Sequence, residues 1–373
     1  MGQHLILSVV GARPNFMKIA PIHREIARTH GLAHFLVHTG QHYDDALSRQ
    51  FFNDLDIPEA DINLQVGSGL HGEQTGEMLK RLESVFIRKK PDIVLVVGDV
   101  NSTLAASLAA AKLHIPIAHV EAGLRSFDRR MPEEINRVLT DALADLLFVT
   151  EEAGMKHLER EGIPREKCHL VGDVMIDSVL HALPAARERA APRKEEMGSA
   201  YAVMTLHRPS NVDDPEQLAS IVRALGAAPR TIPILFPVHP RTAERLEAFE
   251  LLDTIKAYPH IHLLPPLGYL EFLGLLESAR FTLTDSGGIQ SEAAFLGVPC
   301  LTMRDTTERP QTVERGFNHL LGTNASIIPE AIHRILADER KPPVPLPLSD
   351  GKASQRIIRI IQNRLAERTA SGS

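Results

Sequence analysis

The sequence predicts an α/β protein built as two doubly wound domains, and three observations lead there. Apolar runs of strand length alternate with longer segments of helical spacing, the rhythm of parallel sheets with crossover helices. The chain has 373 residues with 43% hydrophobic content, more than one hydrophobic core usually serves. The rhythm breaks at a charged, Ala-rich, Pro-containing stretch, 186–198, and then resumes.

In the first half, strands are expected at 5–10, 35–38, 93–97, 117–120 and 146–149. Helical segments lie between them at 14–29, 102–113 and 132–143, with Pro14 and Pro132 suited to the first position of a helix. In the second half, strands are expected at 201–206, 232–238, 261–264, 281–284 and 300–303. A helix runs from about Ile289 to a stop at Gly297 and Pro299. The boundary falls between Gly172 and Ala200, which gives domains 1–172 and 173–350, with 174–183 helical. After the Pro-rich stretch 341–347, helical spacing returns, so a helix over 351–370 is expected to pack back on the first domain. Open α/β sheets bind ligands beyond the carboxyl ends of their strands, and two such domains face to face would border one cleft. Polar residues at strand ends are therefore the site candidates.

Composition narrows the partners. A net charge of −6, from 41 basic and 47 acidic residues with no long basic run, gives no expectation of nucleic acid or an anionic membrane surface. Cys168 and Cys300 are far apart, each in or beside an apolar β-like run, as suits reduced, buried thiols in a cytoplasmic protein. The start has no basic region and its apolar run is too short for a signal peptide or membrane span. No metal is expected, because His38 and His42 lack an intervening Glu and a helical context. Nor is a nicotinamide cofactor, because Gly11 stands alone where a dinucleotide fingerprint needs three spaced glycines.

The stretch from Arg280 to Pro299 carries the most information. Its apolar run ends at Asp285, Ser286, Gly287 and Gly288 follow, and a helix begins. With no bulky side chain over them, the first helical N–H groups can receive a phosphate. Glu292, about one and a half turns on, is placed to accept hydrogen bonds from sugar hydroxyls of the same ligand. A glycine turn that merely redirects the chain explains the same residues.

Other strand ends add candidates. Arg13 and Lys18 follow the first strand and suit an anion at a helix N-terminus, though two solvated cations would look alike. Asp99 either caps the next helix or acts on a substrate, and Asn101 or Ser102 can cap in its place. Glu121, followed by Gly123 and Arg125, is hard to explain as core packing. Glu133 and Arg137 read as an i,i+4 pair at a helix start, which a surface helix also explains. His207 and His239 each stand at a strand end, where an imidazole can stabilise a departing phosphate or serve structure alone. Arg304, Glu308 and Arg309 follow the strand after the glycine turn.

Seven ordered motifs now stand together: Gly11-Ala12-Arg13-Pro14, Gly98-Asp99, the segment from His119 to Arg125, that from Pro132 to Arg137, His207-Arg208, that from Thr284 to Gln290, and that from Arg304 to Pro310. The set resembles the non-hydrolysing UDP-N-acetylglucosamine 2-epimerases over nearly the whole chain. The resemblance implies a GT-B-like fold of two Rossmann-like domains, a UDP-sugar substrate, no cofactor and a homodimer. It implies that Ser286, Gly287 and Gly288 hold the diphosphate, Glu292 the ribose, and Phe272 the uracil region. Arg13, Lys18, His207 and Arg309 would surround the phosphates, and Asp99, Glu121 and Glu133 would move protons with Arg137 beside them. This chain departs from the family at Ala12 and Asn15, where Thr and Glu are common. The segments His38 to Tyr43 and Gly172 to Met175 also look like relatives that epimerise UDP-2,3-diacetamido-2,3-dideoxyglucuronic acid.

The expected chemistry follows from the sugar. A C2 hydrogen beside an acetamido nitrogen has no adjacent carbonyl to stabilise a carbanion, but departure of UDP from C1 acidifies it. A helix N-terminus, cations and an imidazole stabilise the leaving diphosphate while a carboxylate takes the proton. Alternatives are a glycosyltransferase of the same fold, a hydrolysing epimerase, and a nucleotide-sugar-binding protein without chemistry. Several acids near a dianionic ligand argue against mere binding.

Overall fold

The computed structural model describes residues 3–40, 59–198, 200–338 and 346–371, with Arg13 and 369–371 described by backbone alone. His42, the part of the His38 to Tyr43 segment from Gln41 onward, and most of the Pro-rich stretch 341–347 lie outside the described residues. The chain divides into two compact units, Met1–Leu180 with Pro347–Ser373, and His181–Leu346.

Among the described residues the first unit contains β1 (His4–Val10), β2 (Leu32–His38), β3 (Ile62–Asn63), β4 (Ile93–Val97), β5 (Ile117–Ala122), β6 (Leu146–Val149) and β7 (Cys168–Leu170). They form one parallel sheet in the order β3-β2-β1-β4-β5-β6-β7. The inner strands β4, β5 and β6 are wholly buried, as β4 shows with every residue of Ile-Val-Leu-Val-Val inside, because helices cover both faces of a parallel sheet. The edge strands β3 and β7 were not expected from the sequence. With two and three residues they carry no apolar run long enough to register.

The second unit repeats the plan with β8 (Ala202–Thr205), β9 (Ile234–Pro237), β10 (Ile261–Leu264), β11 (Thr282–Thr284), β12 (Cys300–Thr302) and β13 (Asn318–Leu320). Its parallel order among the described residues is β10-β9-β8-β11-β12-β13. Here β13 is the short, unexpected edge. In both units the strand order reverses direction beside the first strand, between β1 and β4 and between β8 and β11, the switch points where doubly wound folds bind ligands.

Two expectations about the junction change. The stretch 186–198, read as a break, is largely helix: one helix runs Val174–Met197 with Pro184 and Pro192 inside it. Small buried residues explain its seat in the second unit. Ala186 and Ala190 lie so close to Gly274 that a Cβ there would come within 2.1 Å of the Ala186 carbonyl. Arg187 and Arg193 pair with Glu277 and Glu271, each at 2.7 Å. The units part at Leu180/His181, within the expected 172–200 interval but later than 172/173, because Val174, Ile176 and Val179 are buried and Ser178 Oγ bonds the Met17 carbonyl of the first unit.

The C-terminal helix, Ala353–Ser371, packs on the helix Arg13–Arg28 of the first unit. Its start is fixed by buried Asp177, which accepts from Ala353 N (3.2 Å), Ser354 N (2.8 Å) and Ser354 Oγ (2.7 Å). Burial raises the Asp177 pKa even though those bonds oppose the shift. Cys168 and Cys300 are both free and buried.

Candidate active site

In the first unit the acids stand at the ends of β4 and β5. Gly98 has φ +71°, and a Cβ there would meet Lys18 Nζ at 2.9 Å, Asn15 Nδ2 at 3.3 Å and Glu121 Oε2 at 3.6 Å. Only glycine leaves room for that cluster. Glu121 itself has φ +71° at an irregularity in β5 pairing, a strained backbone for a non-glycine residue. The strain directs the buried carboxylate to Lys18, with which it forms an ion pair.

Asn15 ties this corner together. Its Oδ1 accepts from Gly11 N (3.2 Å) and Ala12 N (3.1 Å), and its Nδ2 donates to the Val97 carbonyl (3.0 Å). A residue treated as a departure from the family pattern thus joins the first loop to the end of β4. Gly11 has no room for a side chain either, since a Cβ would fall 2.3 Å from Ser102 Oγ. The Lys18 side chain joins the cluster, whereas that of Arg13 lies outside the description.

Asp99 does not cap the helix Asn101–Lys112, whose N-cap is Val100. Its carboxylate instead meets Arg137 Nη2 at 2.5 Å. Arg137 also pairs with Glu134, at 3.0 Å, rather than with Glu133. This corrects the expected i,i+4 pair, because i,i+3 neighbours share the same helix face and Glu134 is the buried one. Glu134 also accepts from Ser126 N (2.8 Å), Ser126 Oγ (2.9 Å) and Phe127 N (3.0 Å). Burial would raise its pKa, but these bonds and Arg137 outweigh it and hold the group low. Glu133 is half-buried on the same first turn.

A buried network lies behind these loops. His119, fully buried on β5, meets Asp141 Oδ1 at 2.6 Å through Nδ1 and the Gly98 carbonyl at 2.9 Å through Nε2. Asp141 Oδ2 accepts from Gly123 N (3.0 Å) and Arg125 Nη2 (2.7 Å). Burial would raise the Asp141 pKa, yet His119 and Arg125 hold it below the ordinary value. Arg125, four residues beyond Glu121, is buried and bound to Asp141 and Glu161.

In the second unit, Asp285 ends β11 with no solvent exposure. It accepts from His207 N, Arg208 N (2.8 Å) and Asn211 Nδ2 (3.1 Å), and meets His207 Nδ1 at 2.8 Å. Burial would raise the Asp285 pKa, but the His207 side chain and the backbone donors outweigh it. With Nδ1 committed to Asp285, Nε2 is the nitrogen of the 38%-exposed His207 ring left for a ligand. His239 has a local role, its Nδ1 accepting from Arg241 N at 3.3 Å to cap the helix Pro240–Ala248.

The helix Gly287–Leu296 is flanked by Ser286 as N-cap and Gly297 as C-cap, whose φ is +67°. A Cβ on Gly288 would meet nothing within 4 Å, and one on Gly287 would meet only the Glu308 and Arg304 side chains at 3.7 and 3.8 Å. Packing does not demand glycine at either position, so both keep the first turn's N–H groups uncovered. Arg304 pairs with Glu308 through contacts of 2.9 and 2.7 Å beside this turn, and Arg309 follows, buried. Glu292 is buried and accepts from Tyr269 Oη at 3.3 Å. Phe272 lies on Tyr269's helix, partly buried against the core cluster that includes Val298.

The structure thus gathers Lys18 with Glu121, Asp99 with Arg137, and His207 with the Asp285–Gly288 turn. It adds Asn15, His119, Glu134, Asp141, Tyr269 and Asp285, which the sequence reading did not assign. Asp285 had a signal: an acid closing a buried strand needs several donors. Asp141 had a weaker one, lying four residues after Arg137 on one helix face.

Two parallel sheets, each with charged and polar loops at its switch point, define a two-unit, Rossmann-like α/β protein of the ligand-binding kind. The UDP-N-acetylglucosamine 2-epimerase family model matches residues 24–362. A UDP-N-acetylglucosamine 2-epimerase homolog from Methanococcus maripaludis is 45% identical over 96% of this chain and 99% of its own. A UDP-2,3-diacetamido-2,3-dideoxy-D-glucuronate 2-epimerase from Pseudomonas aeruginosa is 43% identical over 94% of this chain and 98% of its own. The crystal structure of the Methanocaldococcus jannaschii UDP-GlcNAc 2-epimerase in complex with UDP-GlcNAc and UDP superposes with a TM-score of 0.89 at 44% identity, covering 96% of this chain and 99% of that one. The chain belongs to the UDP-N-acetylglucosamine 2-epimerase family, and its fold is the GT-B-like one of those enzymes.

Proposed function

We propose that this protein interconverts UDP-N-acetylglucosamine and UDP-N-acetylmannosamine by eliminating UDP and adding it back. The second unit binds the nucleotide. The uncovered N–H groups at Gly287 and Gly288, with Ser286, receive the diphosphate; Arg309 adds charge, Glu292 takes the ribose, and Phe272 borders the uracil. The first unit moves the proton through Asp99, Glu121 and Glu133, with Arg13, Lys18 and Arg137 balancing charge.

A carboxylate removes the C2 proton, and that C–H electron pair becomes the C1=C2 bond. The C1–O pair leaves with the β-phosphate, stabilised by the helix N-terminus and by His207 Nε2. UDP then adds back to C1, and a second acid protonates C2 from the opposite face. Atoms and charge balance without a redox cofactor. The observation that carries the reading is the Asp285-held His207 beside a glycine-opened helix N-terminus.

Incubating the purified protein with either UDP-sugar tests it: both must reach the same mixture of the two. Release of free N-acetylmannosamine, or turnover confined to the diacetamido-glucuronate substrate, would overturn it. We also infer a homodimer, supported by Ile135 and Leu139, exposed one helical turn apart on Pro132–Leu143, with light scattering as the check. No helix among the described residues is long and apolar enough to cross a membrane. Two buried free thiols support a cytoplasmic setting, which cell fractionation tests.

A further inference from the structure

We propose that His119 is a positioning residue for the epimerisation, fixed as a buried imidazolium that holds the Asp99 and Glu121 loops in register; the proposal rests on the functional reading above. The hydrogen-bond geometry sets the protonation. Asp141 Oδ1 lies 2.6 Å from Nδ1 and the Gly98 carbonyl 2.9 Å from Nε2, so both ring nitrogens face oxygen acceptors. A carbonyl oxygen cannot donate, so Nε2 carries a proton. Asp141 already receives Gly123 N and Arg125 and is held in its carboxylate form, so Nδ1 carries one too.

A lone charge fully inside the unit would be costly. Here the cations His119 and Arg125 alternate with the anions Asp141 and Glu161.

The consequence lies in which peptides this network grips. Gly98 N donates to the Val120 carbonyl at 3.0 Å, and the Gly98 carbonyl accepts from His119. Both groups of the residue before Asp99 are therefore tied to β5. On the other side, Asp141 holds Gly123 N, two residues beyond Glu121. One His–Asp pair thus sets the loop of one proton-transfer acid against that of the other, without touching substrate. A fixed frame matters because misplacement of about 1 Å costs roughly 10²-fold in rate.

The test combines a ring spectrum with kinetics. Histidine-selective 15N NMR of the wild-type protein near neutral pH should show a histidine with two ring N–H protons protected from exchange, both lost in His119→Gln. His119→Gln keeps one donor group, the amide NH2, and sets an acceptor oxygen in place of the second ring N–H, and Asp141→Asn removes the carboxylate. For both, kcat should fall roughly 10²-fold, while the dissociation constant of UDP, held by the other unit, stays within about threefold. A neutral ring at His119 overturns the proposal, as does kcat near wild type in either variant. If neither variant folds, the wild-type ring spectrum alone decides. A wild-type protein that does not turn over UDP-N-acetylglucosamine refutes the functional reading instead.

Discussion

Replacing Asp285 by Asn separates the role of the His207–Asp285 pair from simple UDP binding. The carboxylate is fully buried and faces only donors: two backbone N–H groups, Asn211 Nδ2 and His207 Nδ1. An amide keeps one oxygen and turns an NH2 toward the rest. Losing two bonds to a charged acceptor, at about 1.5–3 kcal/mol each, destabilises the second unit by about 3–6 kcal/mol. With a urea slope of about 3 kcal/mol/M, its unfolding midpoint should drop by roughly 1–2 M. The ring also loses the anion that orients it, so kcat should fall about 10²- to 10⁴-fold. Steady-state kinetics, urea unfolding and calorimetric UDP titration read the three effects. A variant with kcat within threefold of wild type would refute the reasoning, because His207 would then act without its partner.

Other expectations follow from the same geometry. Glu121→Gln should stop C2 exchange by at least about 10²-fold while UDP binding persists, and near-normal turnover would remove Glu121 from the proton-transfer set. Gly288→Ala should leave the fold intact and raise stability by up to about 1 kcal/mol, since the site is open and alanine favours helix; its methyl group should nonetheless weaken UDP binding in a calorimetric titration. Gly98→Ala should cost about 1–3 kcal/mol and at least tenfold in kcat, from its left-handed φ and its contact with Lys18. Asp141, Glu134 and Asp285 all have pKa values lowered by folding. Their stabilisation is complete above the unfolded carboxylate value of about 4 and is lost as pH falls through the lower folded values. Urea midpoints at neutral pH and near pH 3 should differ accordingly, and Asp141→Asn should narrow the gap.

The sequence was most readable where burial forces a pattern. Inner strands of parallel sheets are covered on both faces and so mostly apolar, which made β1, β4, β5, β6, β8 and β11 stand out, and the polar residues ending them marked the site loops. The edges β3, β7 and β13 did not, because strands of two or three residues are fixed by their neighbours rather than by composition. The stretch 186–198 looked like a linker because charge and proline suggest solvent, yet Ala186 and Ala190 pack against Gly274. Glu133 and Glu134 are adjacent acids on one turn, and only the fold decides which faces Arg137. Asp141 was barely readable beyond its spacing from Arg137: a helical acid is usually solvated, and its partners come from β5 and the loop beyond.

The most direct test of elimination and readdition is proton NMR of UDP-N-acetylglucosamine with the purified protein in deuterium oxide. The account predicts UDP-N-acetylmannosamine carrying deuterium at C2, with deuterium entering the recovered starting sugar as well. Epimer that forms with its original C2 hydrogen retained would contradict it.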